Sequence, residues 1–527
     1  MIRRTLILPL LAVGGAAFAN HDAKYVYPPG TDPATVDKVI EVGQKQNKVM
    51  DLLLQLTQGV GNRLTGSAQS LKACQWAEKK FKEFGLKNVA LEEWGEMPVS
   101  FNRGKRQVAK IVAPFEADMV FTTDAWLPGT DGPMRGHVVI EPTTMEEYEK
   151  VKDQLKGAWL LQNARGGMRA PTGGGNRTEL QQKIDASGIL GKVQGTADER
   201  VHTGGRFAGL EWDKLPTERR IKIRKSDYDR IRSYTIIGQK VELMFDIENI
   251  FVKGPTKLYN VVADIPGTEK PDEMVIVCGH LDSWDGPGSM GANDNGTGTV
   301  VAMEAARLLM KSGAKPKRTI RFILWTGEEQ GLLGSRAYVQ KHKELWPKIS
   351  AVFNDDGGTN YQGGYQCLES QVPILQAAMD VMNKAFPELP QKLQVVPRMP
   401  TGGSSDHASF NMVGIPGFYT METGRADYGF VWHTQNDRPE FSIKEYLIQS
   451  STNHALVSYS VANAPTMLPR APQTDGEPKF EILPPAQGAS RNYHADHDEC
   501  DHDDDYWWYF VDVAKRTAAK FIRATAR

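Results

Sequence analysis

Residues 36 to 90 place apolar side chains at helical spacing: Val36, Val39, Ile40, Val49, Met50, Leu53 and Leu54, then Leu71, Trp76, Ala77 and Phe81 before Phe84-Gly85. Positions three and four apart share one helix face, so this pattern predicts two helices, with the glycines of GVGNRLTGS marking the turn between them. From about 106 to 255 the pattern shortens to runs such as HVVIEP, GAWLLQNA and KVELMFDI, separated by glycine-rich loops such as RGGMRAPTGGGNRTE. That texture predicts a separate, mostly β module. From Leu258 onward strands alternate with helices: strand 274–279, helix 297–312, strand 319–325, helix 331–343, strand 350–354 and helix 373–386. Gly313 and Pro316 close the first of these helices and Gly331 opens the second. Such alternation predicts a largely parallel sheet covered by helices on both faces. No internal repeat is visible.

At 527 residues, 40% hydrophobic and 24% charged, the chain is globular in composition and too long for one ordinary core. A net charge of −1 excludes a nucleic-acid partner held by bulk electrostatics. The N-terminus changes the picture more. Met1-Ile-Arg-Arg is followed by an apolar stretch, Thr5 to Val13, and by Ala17-Phe18-Ala19, the pattern of a secretory signal cut after Ala19. The apolar run is shorter than the roughly 20 residues of a spanning helix, and no later stretch reaches that length, so no membrane span is expected after cleavage. The four cysteines, Cys74, Cys278, Cys367 and Cys500, lie far apart and form no C-x-x-C pair. They announce neither a thiolate metal site nor a disulfide framework.

The candidate chemistry sits where the predicted strands end. VIVCGHLDSWDGPGSMGANDNGTG, residues 275–298, presents His280, Asp282, Asp285 and Asp294 directly after an apolar run. TIRFILW is followed by Thr326-Gly327-Glu328-Glu329, and ISAVF by Asn354-Asp355-Asp356-Gly357-Gly358; His433 appears late, in Trp432-His433-Thr434. In a parallel sheet these strand ends share one edge, where open α/β sheets bind their ligands. Two histidines with several carboxylates suit Zn²⁺ better than Ca²⁺, because imidazole is a borderline ligand and calcium prefers oxygen. A carboxylate such as Asp294 can hold two cations roughly 3.5–4 Å apart, the spacing of two-metal hydrolases. No G-x-S-x-G elbow is present, since PGSMG and GGSSD each miss a required glycine.

The motifs GHLDSWD, GANDNGTG, TGEEQGLLGS, NDDGG and WHT, in that order and preceded by GNRLTGS, resemble those of the M28 family of zinc exopeptidases, near its plasma glutamate carboxypeptidase branch, also called carboxypeptidase Q. The resemblance covers about 36 to 465 and is weaker across the middle. It implies a phosphorylase-like α/β fold with a mixed, largely parallel sheet between helices, and two Zn²⁺ per chain. One ion would be held by His280, Asp356 and a bridging Asp294, and the other by Glu329, His433 and the same Asp294. Glu328 would be the general base and Asp282 the carboxylate that orients His280. NDD leaves Asp355 as a rival to Asp356, which the glycine-rich continuation favours. GHVVIEP, GAWLLQNA and KIDASGILGKV resemble a protease-associated domain, which implies a lid or substrate-guiding module.

The resulting division is a signal segment 1–19, an N-terminal part of the peptidase domain 36–105, an inserted domain 106–255, the main peptidase domain 256–466, and an acidic, histidine-rich extension with a closing helix 467–527. The expected activity is hydrolysis of terminal peptide bonds in short peptides by a secreted or periplasmic enzyme. Aminopeptidase and carboxypeptidase or dipeptidase action stay open, as does oligomeric state, a homodimer included. Two other readings remain: a non-catalytic, receptor-like relative of the fold, and a single-zinc acyltransferase of the glutaminyl cyclase type. Asp285 reads as a loop or capping carboxylate. Asp406-His407 in TGGSSDHASF reads equally as a pocket wall or an Asx turn. Tyr428, Phe430 and Trp432 read as pocket lining or strand-edge packing, and HADHDECDHDDD, residues 494–505, as a solvated acidic loop rather than a metal buffer.

Overall fold

The structure is a computed structural model that describes residues 24–162, 178–400 and 403–470. The signal-like segment, most of the RGGMRAPTGGGNRTE loop, Cys500, the 494–505 run and the closing segment 509–522 lie outside the described residues.

The alternating pattern after Leu258 forms one wall of a sheet. Strands Gly417–Tyr419, Ile349–Asn354, Lys270–His280 and Arg318–Trp325 lie side by side in that order and run parallel. Strand Glu242–Ile265 pairs antiparallel with the last of them. Successive side chains of a strand face opposite ways, and here both faces are buried. Val275 and Val277 join Phe322, Ala351 and Phe353 against helices Pro33–Lys45, Thr297–Lys311 and Lys444–Asn463. Met274, Ile276 and Cys278 join Ile323, Trp325 and Val352 against Tyr338, Val339 and Phe410. A near-continuous apolar run is what a strand covered on both sides requires. No described helix is long and apolar enough to cross a membrane.

The N-terminal region holds one more helix than its periodicity predicts. Pro33–Lys45 is capped by Asp32, whose side chain accepts from the Thr35 amide at 3.0 Å. A break at Gln46 and Asn47 precedes helix Val49–Leu54, because the Lys48 amide is taken by the buried carboxylate of Glu304 at 2.8 Å. Ser67 caps the following helix, Ala68–Phe84, which ends on Gly85 in the left-handed region that glycine adopts without strain.

Helix Lys444–Asn463 is invisible to the periodicity argument. It is buried almost throughout, yet it is rich in serine, threonine and asparagine. The Ser451, Thr452 and Ser458 hydroxyls donate to the carbonyls of Leu447, Ile448 and His454 at 2.6–2.8 Å. This back-bonding satisfies each hydroxyl within the helix and lets polar residues fill a core.

Between residues 106 and 255 strands predominate, but among the described residues three α-helices, Met145–Val151, Glu179–Ala186 and Lys225–Ile236, accompany them. Met134–Ile140, Trp159–Gln162, Gly191–Gly195 and Arg220–Ile223 run parallel. They enclose a core of their own around Trp159, Leu161, Val193, Ile221, Ile231 and Phe245. Two long strands, Lys87–Ala113 and Glu242–Ile265, pair antiparallel and carry the sheet from this core into the helix-covered wall. Cys74, Cys278 and Cys367 are free and buried.

Candidate metal centre

Parallel pairing brings three strand ends to one edge. Lys270–His280 finishes on His280, Arg318–Trp325 runs into Thr326-Gly327-Glu328-Glu329, and Ile349–Asn354 runs into Asp355-Asp356. His280 Nε2 lies 3.1 Å from Asp356 Oδ1, 3.4 Å from Asp294 Oδ1 and 3.8 Å from Glu328 Oε2. His433 Nε2 lies 3.2 Å from Asp294 Oδ2 and 3.0 Å from Glu329 Oε2. Asp294 thus stands between the two imidazoles, one oxygen toward each. Donor atoms of His280, Asp294 and Glu329, and separately of His280, Glu328 and Asp356, all fall within 4.8 Å of one another.

Asp356, rather than its neighbour, reaches His280. Asp355 turns to the other side of the strand, where its Oδ2 lies 3.8 Å from His454 Nδ1. His280 Nδ1 faces the backbone carbonyl of Asp282 at 3.0 Å, and the Asp282 carboxylate at 3.6 Å. That carboxylate accepts three further bonds, from Thr65 Oγ1 at 2.8 Å and from the amides of Glu328 and Glu329 at 3.3 Å each. Asp282 therefore also fixes the turn that aims both glutamates.

The charges do not balance without a cation. Burial works against a proton on His280, yet Asp356 and Glu328 outweigh it and raise the imidazole well above its ordinary range. Burial likewise opposes protonation of His433, but Glu329 and Asp294 push it up to about 10. Glu328 is raised well above the usual carboxylate range, first by burial. A divalent cation among these groups would neutralise the same carboxylates, and metal binding releases the protons that they otherwise favour. The donor set of two imidazoles and three carboxylates, with a buried Asp294 Oδ2 that no well-aligned hydrogen bond satisfies, fits zinc.

This gives a pH signature. A group that binds its proton more tightly folded than unfolded supports the fold below its ordinary pKa and withdraws that support as pH rises through the folded value. The metal-free protein is therefore expected to lose melting temperature between pH 6.5, the ordinary value for His433, and about 10. The rise in melting temperature on adding zinc should grow over the same interval. Calorimetry at four pH values checks both, and a flat metal-free profile counts against the arrangement.

Two supports carry no local sequence signal. Arg63, within GNRLTGS and fully buried, donates to the carbonyls of Leu281 at 2.5 Å, Gly291 at 2.6 Å and Met290 at 3.2 Å. It holds the His280 and Asp294 loops together. Asp437 accepts from the amides of Asn293 at 2.6 Å and Asp294 at 3.3 Å, and from Asn293 Nδ2 at 3.2 Å. Its partners lie some 140 positions away in sequence, so only the folded chain reveals it. Asp437→Ala leaves the Asn293 and Asp294 amides without this partner, which costs about 1–3 kcal/mol. It should also weaken zinc by about 10–100-fold, as losses behind metal ligands do. Urea unfolding of metal-free protein and competitive chelation measure the two effects.

Other expectations change. Asp285 is a loop carboxylate, but one committed to a buried ion pair with Arg103 at 3.0 Å. Tyr428–Val431 is a helical turn, not a strand edge, because Asp427 and Trp432 bracket a hydrogen-bonded loop. Asp406 makes no Asx turn. It is buried before helix His407–Asn411 without a capping bond, and desolvation pushes it up to about 7.

Residues 260–458, which include His280, Asp294, Glu328, Glu329, Asp356 and His433, match peptidase family M28. The chain is 28% identical over 439 residues to carboxypeptidase Q of Mus musculus, covering 81% of this chain and 88% of that protein. It is 27% identical over 441 residues to carboxypeptidase Q of Homo sapiens, with the same coverage. Among solved structures, the peptidase M28 precursor of Shewanella amazonensis superposes with a TM-score of 0.61 at 25% identity, over 83% of this chain and 98% of that one. A zinc aminopeptidase from Bacillus subtilis shares the fold at a TM-score of 0.50 and 22% identity, over 78% of this chain and 93% of that one.

Proposed function

We infer the reaction from one premise, that this chain belongs to peptidase family M28. It is a metallo-exopeptidase, and the finer reading is a two-zinc enzyme that removes terminal residues from short peptides. The observation that carries this reading is the position of Asp294, with one oxygen 3.4 Å from His280 and the other 3.2 Å from His433. His280, Asp356 and Asp294 would hold one ion; Glu329, His433 and Asp294 would hold the other. The name of the relative matched over most of its length, carboxypeptidase Q, is that of an exopeptidase.

Two zinc ions, when bound, supply an acidified water and polarise the substrate carbonyl. The chain's own groups do the rest. Glu328, held by its amide to Asp282 and largely shielded from solvent, takes a proton from the attacking water and returns it to the leaving amine nitrogen. The Asp282 carbonyl opposite His280 Nδ1 keeps Nε2 turned into the site. Hydrolysis by this route needs no covalent intermediate.

Residues 1–19 are read as a secretory signal, which makes the enzyme exported, and 106–255 as an inserted module resembling a protease-associated domain. The deciding experiment assays purified protein on N-terminally blocked and C-terminally blocked dipeptides, with and without a chelator, alongside zinc content. Two equivalents of zinc, chelator-sensitive hydrolysis and rejection of one blocked terminus are expected. One equivalent with cyclisation of N-terminal glutamine, or full activity after complete zinc removal, would overturn the reading.

A further inference from the structure

His433 is the candidate ligand least supported by its own surroundings in sequence. It sits on a loop, not at a strand end, and its backbone takes a positive φ of 56°. For a residue with a Cβ this conformation is uncommon and persists only where neighbours impose it. It is the third residue of a turn closed by the Thr434 amide on the Val431 carbonyl at 3.0 Å, and residues 199–203, far away in the chain, grip the outside of that turn.

Thr203 donates twice to the His433 carbonyl, from its amide at 2.6 Å and from Oγ1 at 3.1 Å. His202 and Thr434 form an antiparallel bridge. The Val201 amide donates to Gln435 Oε1 at 2.7 Å, and Gln435 Nε2 donates to the Glu199 carbonyl at 3.0 Å. Arg200 reaches the Gly429 carbonyl at 2.9 Å. Thr203 also packs so closely on Gly286 that a Cβ there would fall 2.3 Å from Thr203 Cγ2. A second contact comes through rings: Trp126 packs edge-on against Trp284, which packs edge-on against His433. Residues 126 and 199–203 all precede the stretch that matches the peptidase family.

The other half of the centre is tied by different contacts, among them the Arg63 bonds to the Leu281 and Gly291 carbonyls. His280 ends one strand, and Asp356 lies two residues beyond the end of the parallel strand beside it, whose ladder closes at Asn354 opposite Cys278. The two histidines therefore differ in what positions them: a strand end for His280, and a turn gripped by a remote segment for His433.

We propose that Thr203 and its neighbours 199–203 position His433, so that docking of this segment and occupancy of the cation site formed by Asp294, Glu329 and His433 are thermodynamically linked. The proposal rests on the two-ion reading above. Linkage is reciprocal: whatever the docked segment adds to zinc affinity at this site, zinc returns as stability of docking. Thr203 is in this sense a positioning residue and touches neither substrate nor metal.

The test titrates zinc into metal-free full-length protein against a chromophoric chelator and follows amide hydrogen exchange at 199–203 and 429–435 at each step. In the wild type, the second equivalent and not the first should slow exchange at both segments. Thr203→Pro removes the amide donor and should weaken the second equivalent by about 10–100-fold while leaving the first unchanged. Gln435→Ala deletes the tie to Val201 and Glu199 without altering the backbone, and should weaken the same equivalent by about 10-fold; it carries the test if the proline variant does not fold. Wild-type affinity for both equivalents in the folded variants, or exchange at 199–203 indifferent to the second zinc, overturns the proposal and leaves the two-ion reading intact. A wild-type protein that holds fewer than two equivalents overturns that reading and the proposal with it.

Discussion

Glu328→Gln is expected to bind its full complement of zinc and to lose about 10²–10⁴-fold in kcat, the range that a positioned acid–base group contributes. The substitution preserves shape and the amide bond to Asp282, so the turn that aims Glu329 stays formed. What it removes is the capacity to carry a proton. The geometry offers a competing role that the same experiment separates: Glu328 Oε2 is 3.8 Å from His280 Nε2 and shares a donor cluster with His280 and Asp356. A glutamate that served as ligand would take zinc with it when replaced. Zinc content measured beside kcat on a dipeptide therefore distinguishes base from ligand, and wild-type turnover excludes both.

Asp294→Ala should have the second large effect, and through a different cause. Its two oxygens face the two imidazoles; burial opposes ionisation of its carboxyl, yet in the metal-free protein His280 and His433 together hold it below the usual range. Removing it deletes a donor from each proposed ion at once. The variant is expected to retain at most one zinc equivalent. If the lost ion supplies about 4 kcal/mol of transition-state stabilisation, within the several kcal/mol typical of a metal ion, kcat/KM falls by about 10³-fold. Two tightly held equivalents in this variant would show that Asp294 does not bridge.

Much of the centre is legible in the sequence. His280, Glu328, Glu329 and Asp356 each follow an apolar run, and an apolar run closed by glycine and acid marks the carboxyl end of a buried strand. Once the strands are parallel, those ends must share an edge. The supports are not legible. Arg63 bonds to carbonyls more than 200 positions away and Asp437 to amides more than 140 away, and a backbone carbonyl or amide has no signature in sequence. The role of Asp285 is hidden for the same reason, since its partner Arg103 lies 182 positions upstream. Helix Lys444–Asn463 escapes because periodicity detects an apolar stripe on a polar cylinder, and this helix hides its polar groups by bonding them to itself.

The sequence by itself determined the three parallel strands that carry His280, Glu328 with Glu329, and Asp356 to one edge, and the family that these motifs resemble. These depend on side-chain periodicity and local punctuation, which act over a few residues. Only the tertiary structure showed how these side chains are aimed: Asp294 between two histidines, Asp356 rather than Asp355 beside His280, and the His433 carbonyl bonded by Thr203. Aim depends on contacts between segments remote in sequence, and those exist only after the chain has closed on itself.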